Sequence, residues 1–134
     1  MPGWKKLLPA TAAMLALAGC AGDANTYDLP LTELRDRLSG ERMTYHHKGK
    51  PSHLAIKVHG NSLMVTIDSP ESYLHTECIV MLEAVDEART RLVPDCGDSH
   101  NEHRQESFRA VEDNIAEKIR IILLGEGAAA PGAK

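Results

Sequence analysis

Seven histidines are the side chains best suited to chemistry in this chain: His46 and His47 side by side, His53, His59, His75, and His100 with His103. Imidazole titrates close to neutrality and is the commonest metal ligand among side chains. Residues three apart on a helix can share a face, so His100 and His103 could offer two nitrogen ligands, with Glu102 or Glu106 beside them. Two imidazoles at a helix entrance fall short of a full ligand set, and solvated polar residues in a capped first turn are the plainer account of the pair. His53 is expected to oppose Asp68 across a hairpin, where a solvent-side hydrogen bond is a better reading than an acid–base dyad. No serine lies in a G-x-S-x-G elbow, and neither a P-loop nor a dinucleotide glycine pattern occurs. Cys20, Cys78 and Cys96 show no C-x-x-C spacing, which argues against a metal-binding or reactive thiol pair. The chain is therefore expected to use no cofactor and not to be an enzyme, although scattered catalytic residues assemble only in three dimensions and leave no local motif.

The elements that must carry these residues can be read from periodicity. Leu31, Leu34 and Leu38 recur at helical steps, with Thr32 near the start and Gly40 just past the end, which predicts a short amphipathic helix. Residues 41–51 are polar and basic, with Gly49 and Pro51 as breakers, and read as loop. Leu54, Ile56 and Val58 alternate with Ala55, Lys57 and His59; after Gly60-Asn61 the alternation resumes at Leu63, Val65 and Ile67. A two-residue Gly-Asn loop suits a type I′ or II′ turn and pairs 58 with 63, 56 with 65 and 54 with 67. All six large aliphatics then fall on one face.

A second hairpin is predicted from Cys78 to Cys96. The continuous apolar run Cys78-Ile79-Val80-Met81-Leu82 suits a strand that is covered on both faces or central in its sheet. With Asp86, Glu87 and Ala88 as the loop, 82 opposes 92, 80 opposes 94 and 78 opposes 96. Pro94 cannot donate to a ladder, so that strand is expected at an edge or near its own end. Ser99-His100-Asn101-Glu102 has the form of a capping box and opens a long helix carrying Phe108, Val111, Ile115, Ile119 and Ile122 on one side. Ile121, Leu123 and Leu124 widen its apolar surface before Gly125. The expected fold is a two-layer α+β sandwich: a four-stranded antiparallel sheet of two hairpins, covered on one face by an N-terminal and a C-terminal helix.

The N-terminus has a different grammar. Basic Lys5 and Lys6 precede an apolar run from Leu7 to Ala18, broken by Pro9, and then the residues Leu17-Ala18-Gly19-Cys20. The run is shorter than the roughly 20 apolar residues a membrane-spanning helix needs, and it has the anatomy of an export signal. Its end resembles the lipobox of bacterial lipoproteins, in which a signal peptidase cuts before the cysteine and acyl chains are placed on the thiol and the freed amine. The resemblance covers only the first stretch of the chain and matches all four lipobox positions. It implies a signal peptide over residues 1–19, lipidation at Cys20, and a lipidated tether over residues 20–26. A single α+β domain over residues 27–126 and a disordered tail over residues 127–134 are expected to follow. Ala21, where an aspartate would favour inner-membrane retention under the enterobacterial sorting rule, points to the outer membrane facing the periplasm. Two or three acyl chains, at about 0.8 kcal/mol per buried methylene, hold a protein to a bilayer durably.

Export places the remaining thiols, Cys78 and Cys96, in an oxidising compartment, where an even remainder of two permits one pairing. The proposed register sets them side by side at the open end of their hairpin, close enough for a disulfide. The chain has 15 basic and 19 acidic residues, and loss of Lys5 and Lys6 with the signal takes its net charge from −4 to −6. An acidic chain with one Phe and three Tyr offers neither a phosphate-neutralising patch nor a stacking platform, which argues against nucleic acid as a partner. The expected protein is a lipid-anchored, non-enzymatic envelope component that touches the membrane through its N-terminal lipid and binds another envelope protein. A small-ligand or metal-binding module built on the surface histidines is the alternative.

Overall fold

The structure is a computed structural model that describes residues 25–72 and 74–125. The expected signal peptide, Cys20 with its expected tether up to Ala24, and the expected tail over residues 127–134 lie outside the described residues. The element order is β1 (Thr26–Tyr27), α1 (Leu31–Leu38), β2 (Arg42–His47), β3 (Lys50–His59), β4 (Ser62–Ser69), a 3-10 turn (Pro70–Ser72), β5 (Leu74–Ala84), β6 (Thr90–Asp95) and α2 (Glu102–Leu124).

These strands form one antiparallel sheet of six in the order β1-β6-β5-β4-β3-β2, curled into a half-barrel. The expected four-stranded sandwich with helices at both ends of the chain is thus corrected in two respects. Two further strands, β1 and β2, extend the sheet at its edges, and the short helix α1 is inserted between them instead of opening the fold. β1 is only two residues long and carries no periodicity to read. β2 has only two large apolar residues, Met43 and Tyr45, because an edge strand needs less burial; its polar remainder made residues 41–51 resemble a loop. Lys48 and Gly49 form the connection, both at positive φ (53° and 80°), as a two-residue type I′ turn requires. Pro51 precedes the first β3–β4 pair, at His53, near a strand end where a missing donor costs least.

The central hairpin has the expected register, with Leu54 opposite Ile67, Ile56 opposite Val65 and Val58 opposite Leu63. Gly60 takes φ 59° while Asn61 stays at negative φ, the pattern of a type II′ turn. In the next hairpin Leu82 faces Leu92 and Val80 faces Pro94. β4 also pairs with β5 through Val65 opposite Cys78, which makes the two hairpins one continuous meander. β5 is central in the sheet but not covered on both faces, since Met81 on its outer side is 47 % exposed.

The concave face holds the core. Leu54, Ile56, Leu63, Val65, Ile67, Cys78, Val80, Leu82 and Leu92 meet Leu34 and Leu38 of α1 and Ile115, Ile119 and Leu123 of α2. Fully burying an aliphatic side chain contributes about 1.5–3 kcal/mol, so this cluster is the main stabilising feature of the fold. α2 is fixed at three places: Glu112 Oε2 accepts from the Cys96 N–H at 2.8 Å, Asn114 Nδ2 donates to Tyr45 Oη at 2.9 Å, and Arg37 donates to the Leu123 carbonyl at 3.3 Å. The helix therefore ties the end of β6, the edge strand β2 and α1 together. Its cap is Asn101, whose side chain accepts from the Arg104 N–H at 3.0 Å, and not the Ser99 capping box. Ser99 instead accepts from the Asn101 N–H, and its own N–H donates to Gln105 Oε1. Two good capping residues lie two positions apart, and the more C-terminal one opens the helix. α1 starts after Pro30 without a side-chain cap, so Thr32 does not serve as one.

Candidate functional site

With the concave face filled, the convex face of the sheet is the open surface, and strand alternation decides what it shows. Its polar part is a cross-strand row. Thr44 faces His53, His53 faces Asp68, and Asp68 faces His75 on β2, β3, β4 and β5. Hydrogen bonding within that row runs in two separate pairs. Thr44 Oγ1 and His53 Nδ1 lie 3.0 Å apart, and Asp68 is engaged by His75, its Oδ1 2.5 Å from Nδ1. His75 Nε2 meets Glu77 Oε2 at 3.2 Å. The hydrogen bond that His75 makes to the Asp68 carboxylate, then that to Glu77, raises the His75 pKa above its ordinary 6.5.

An imidazole held between two carboxylates invites a catalytic or metal reading, but its geometry suits neither. The ring nitrogens point in opposite directions, so Asp68 and Glu77 cannot converge with the ring on one ion. Among the described residues no group of three or more His, Cys, Asp or Glu is placed to hold a metal. His75 is 54 % exposed on a convex surface, where no wall excludes water from a reacting group.

The residues anticipated from sequence fall as follows. Cys78 and Cys96 are joined, with Sγ atoms 2.04 Å apart. Cys20 lies outside the described residues. His100 precedes the cap Asn101 and so stands outside the helix, while His103 is in its first turn; both are exposed. The helical i, i+3 relation that suggested a shared ligand face does not hold for them. His46 and His47 end β2, and His59 ends β3. Asp68 faces His53 as its hairpin register predicts, but its hydrogen-bond partner is His75, which only the long-range β4–β5 register brings beside it; the i, i+2 spacing of His75 and Glu77 is the one local sign that those two share a face.

Beside the polar row the convex face is apolar. Met64 faces Ile79 and Met81 faces Val93, so that two neighbouring cross-strand pairs cover parts of β4, β5 and β6. Met64, Ile79 and Val93 are half-buried. Glu83 and Arg91, joined by a 2.9 Å ion pair, border this patch.

Charge is distributed unevenly. From Arg42 to His59 the β2–β3 hairpin contains Arg42, Lys48, Lys50, Lys57 and four histidines and no Asp or Glu, in a chain of net charge −4. The hairpin forms one edge of the sheet, since β2 is the terminal strand.

Two buried hydroxyls, Thr26 Oγ1 and Tyr27 Oη, have no hydrogen-bond partner among the described residues. Tyr27 is 3 % exposed and its hydroxyl makes no hydrogen bond among the described residues. Desolvation pushes its pKa up to about 12, opposed by the nearby Arg120 charge. The phenol stays neutral in the core and is not placed to act as a base. No helix among the described residues is long and apolar enough to cross a membrane.

Comparison with protein-family models, with curated proteins and with solved structures found no match.

Proposed function

We propose that this chain is a lipid-anchored, non-enzymatic protein of the bacterial cell envelope, facing the periplasm, that acts by contacting other proteins. The observation that carries the reading is the close succession of lipobox and fold: Leu17-Ala18-Gly19-Cys20 is followed after five residues by β1. An extended run of five residues reaches at most about 18 Å, so an acylated Cys20 keeps the domain close to the bilayer and its open sheet face available to neighbours. That face combines an apolar patch with a polar row, the composition of a contact surface rather than of a closed reaction site. Ala21 after the cysteine favours the outer membrane.

The test is fractionation and crosslinking in cells. The native protein is expected in the membrane fraction with acyl mass on its N-terminal fragment, and Cys20→Ser is expected to release it or to leave it as an uncleaved, unacylated precursor. A photo-crosslinker at Met81 is expected to capture discrete envelope proteins in the native chain. A Cys20→Ser product that is still acylated, or a complete lack of captured protein from the exposed sheet positions, overturns the reading.

A further inference from the structure

We infer that the β2–β3 hairpin edge is a docking site for an acidic, extended segment of another envelope protein, which adds to the sheet as a strand beside β2; the inference rests on the protein-contact reading above and names its partner's chemistry. β2 has β3 on one side and no strand on the other among the described residues, so its outward N–H and C=O groups form a template for one more strand.

The edge is held ready. The type I′ turn at Lys48-Gly49 fixes the hairpin's tip, and all six β2 residues pair with β3. From the concave side α2 braces the strand: Asn114 donates to Tyr45 Oη, and the Lys118 ammonium lies 4.6 Å from the centre of the Tyr45 ring. A strand that is already ordered gives up little further conformational freedom when a partner pairs with it.

Charge selects the occupant. Arg42 and His46 share the convex side of β2, with Lys48 at the turn and Lys50 at the start of β3, and the hairpin contains no carboxylate to neutralise them. Asp68, the acid facing the hairpin from β4, is engaged by His75, and Glu41 sits just before β2. Two copies of such an edge repel each other, which disfavours pairing between copies of this chain. A strand with glutamate or aspartate at alternate positions places its charges against Arg42 and Lys48 while its backbone completes the ladder. An anionic bilayer is the less suitable partner, because β1, next to the anchor, and β2 are at opposite edges of the curled sheet.

The test uses the full lipid-bearing chain in non-ionic detergent micelles and a fluorescent ten-residue peptide of alternating glutamate and threonine. Saturable binding is expected at low salt. It should weaken about tenfold or more in Arg42→Glu/Lys48→Glu/Lys50→Glu, and that variant should instead bind the lysine-for-glutamate peptide. Arg42→Gln alone, whose fold is checked by circular dichroism, serves if the triple variant is unstable, with a smaller loss expected. A peptide N-methylated at alternate residues on one edge is expected not to bind. Binding that survives charge reversal or N-methylation overturns the proposal, as does no binding of the peptide together with binding of phosphatidylglycerol vesicles. In cells, crosslinkers at Thr44 and Met81 separate the two claims. Capture from Thr44 of a segment rich in acidic residues supports the docking edge; capture from Met81 alone leaves the contact reading standing and removes this edge; capture from neither overturns both.

Discussion

Asp68 on β4 gives its carboxylate to His75 on β5, 2.5 Å away, although His53 also faces it across the β3–β4 ladder. Glu77 takes the other ring nitrogen, and both carboxylates favour the imidazolium. A histidine whose folded-state pKa exceeds 6.5 adds stability that is fully present below the unfolded value and is lost as pH rises through the folded value. An NMR titration is expected to give His75 a midpoint above the ordinary 6.5, with Asp68→Asn bringing it down. A midpoint unmoved by that substitution contradicts the assignment.

The Cys78–Cys96 bond closes a loop with a sequence separation of 18. In the chain-entropy account a loop of this size contributes about 3 kcal/mol. The Cys78→Ala/Cys96→Ala variant is expected to unfold at clearly lower urea concentration than the oxidised native chain. Reduced native protein should fall near the variant.

Lys48 adopts φ 53° at the first central position of its turn, a conformation that disfavours a long side chain and suits asparagine. Lys48→Asn creates an Asn-Gly turn and should raise stability, read as a higher denaturation midpoint with an unchanged m-value. A loss of stability would show that the lysine makes a compensating contact.

Helix α2 tests which residue is the cap. Asn101→Ala removes the acceptor for the Arg104 N–H and should cost about 1 kcal/mol. Ser99→Ala removes only a bond to the Asn101 N–H and should cost about half as much or less. The reverse order would restore the Ser99 capping box.

Burial separates two helical leucines. Leu34 of α1 is 0 % exposed, whereas Leu124 at the end of α2 is 47 % exposed. Leu34→Ala should cost about 2–5 kcal/mol and Leu124→Ala within about 0.5 kcal/mol in thermal or denaturant unfolding.

What the sequence made legible follows from how local each signal is. The β3–β4 hairpin could be read because Gly60-Asn61 and the alternating Leu54–Ile67 aliphatics state the same register twice. The β5–β6 register and the approach of Cys78 to Cys96 followed from a similar agreement. The β4–β5 pairing did not, because the chain between Ser69 and Leu74 has no two-residue turn signature and instead passes through a 3-10 turn. β2 was hidden by Arg42, Thr44, His46 and His47, polar residues that an edge strand tolerates and a loop also contains. The Asp68–His75 contact inherited that gap, since it exists only where β4 and β5 are side by side. The cap was ambiguous for another reason: Ser99 and Asn101 are both good capping residues, and their choice depends on contacts made by later residues, among them Gln105 to the Ser99 N–H, Phe108 beside Gly97 and Glu112 to the Cys96 N–H.

Five consecutive strands, from β2 to β6, each lie beside their neighbour in the chain. Sequential hairpins close short loops before long ones, which lowers the entropic barrier to assembly and favours rapid zipping for a β-rich topology. The helix that seals the concave side, α2, follows all of these strands in the chain. Until residues 102–124 pack, the core that Leu54, Val65 and Val80 share with α2 lacks its cover, so the interval between formation of the meander and docking of α2 is when this chain is most exposed to proteolysis and aggregation.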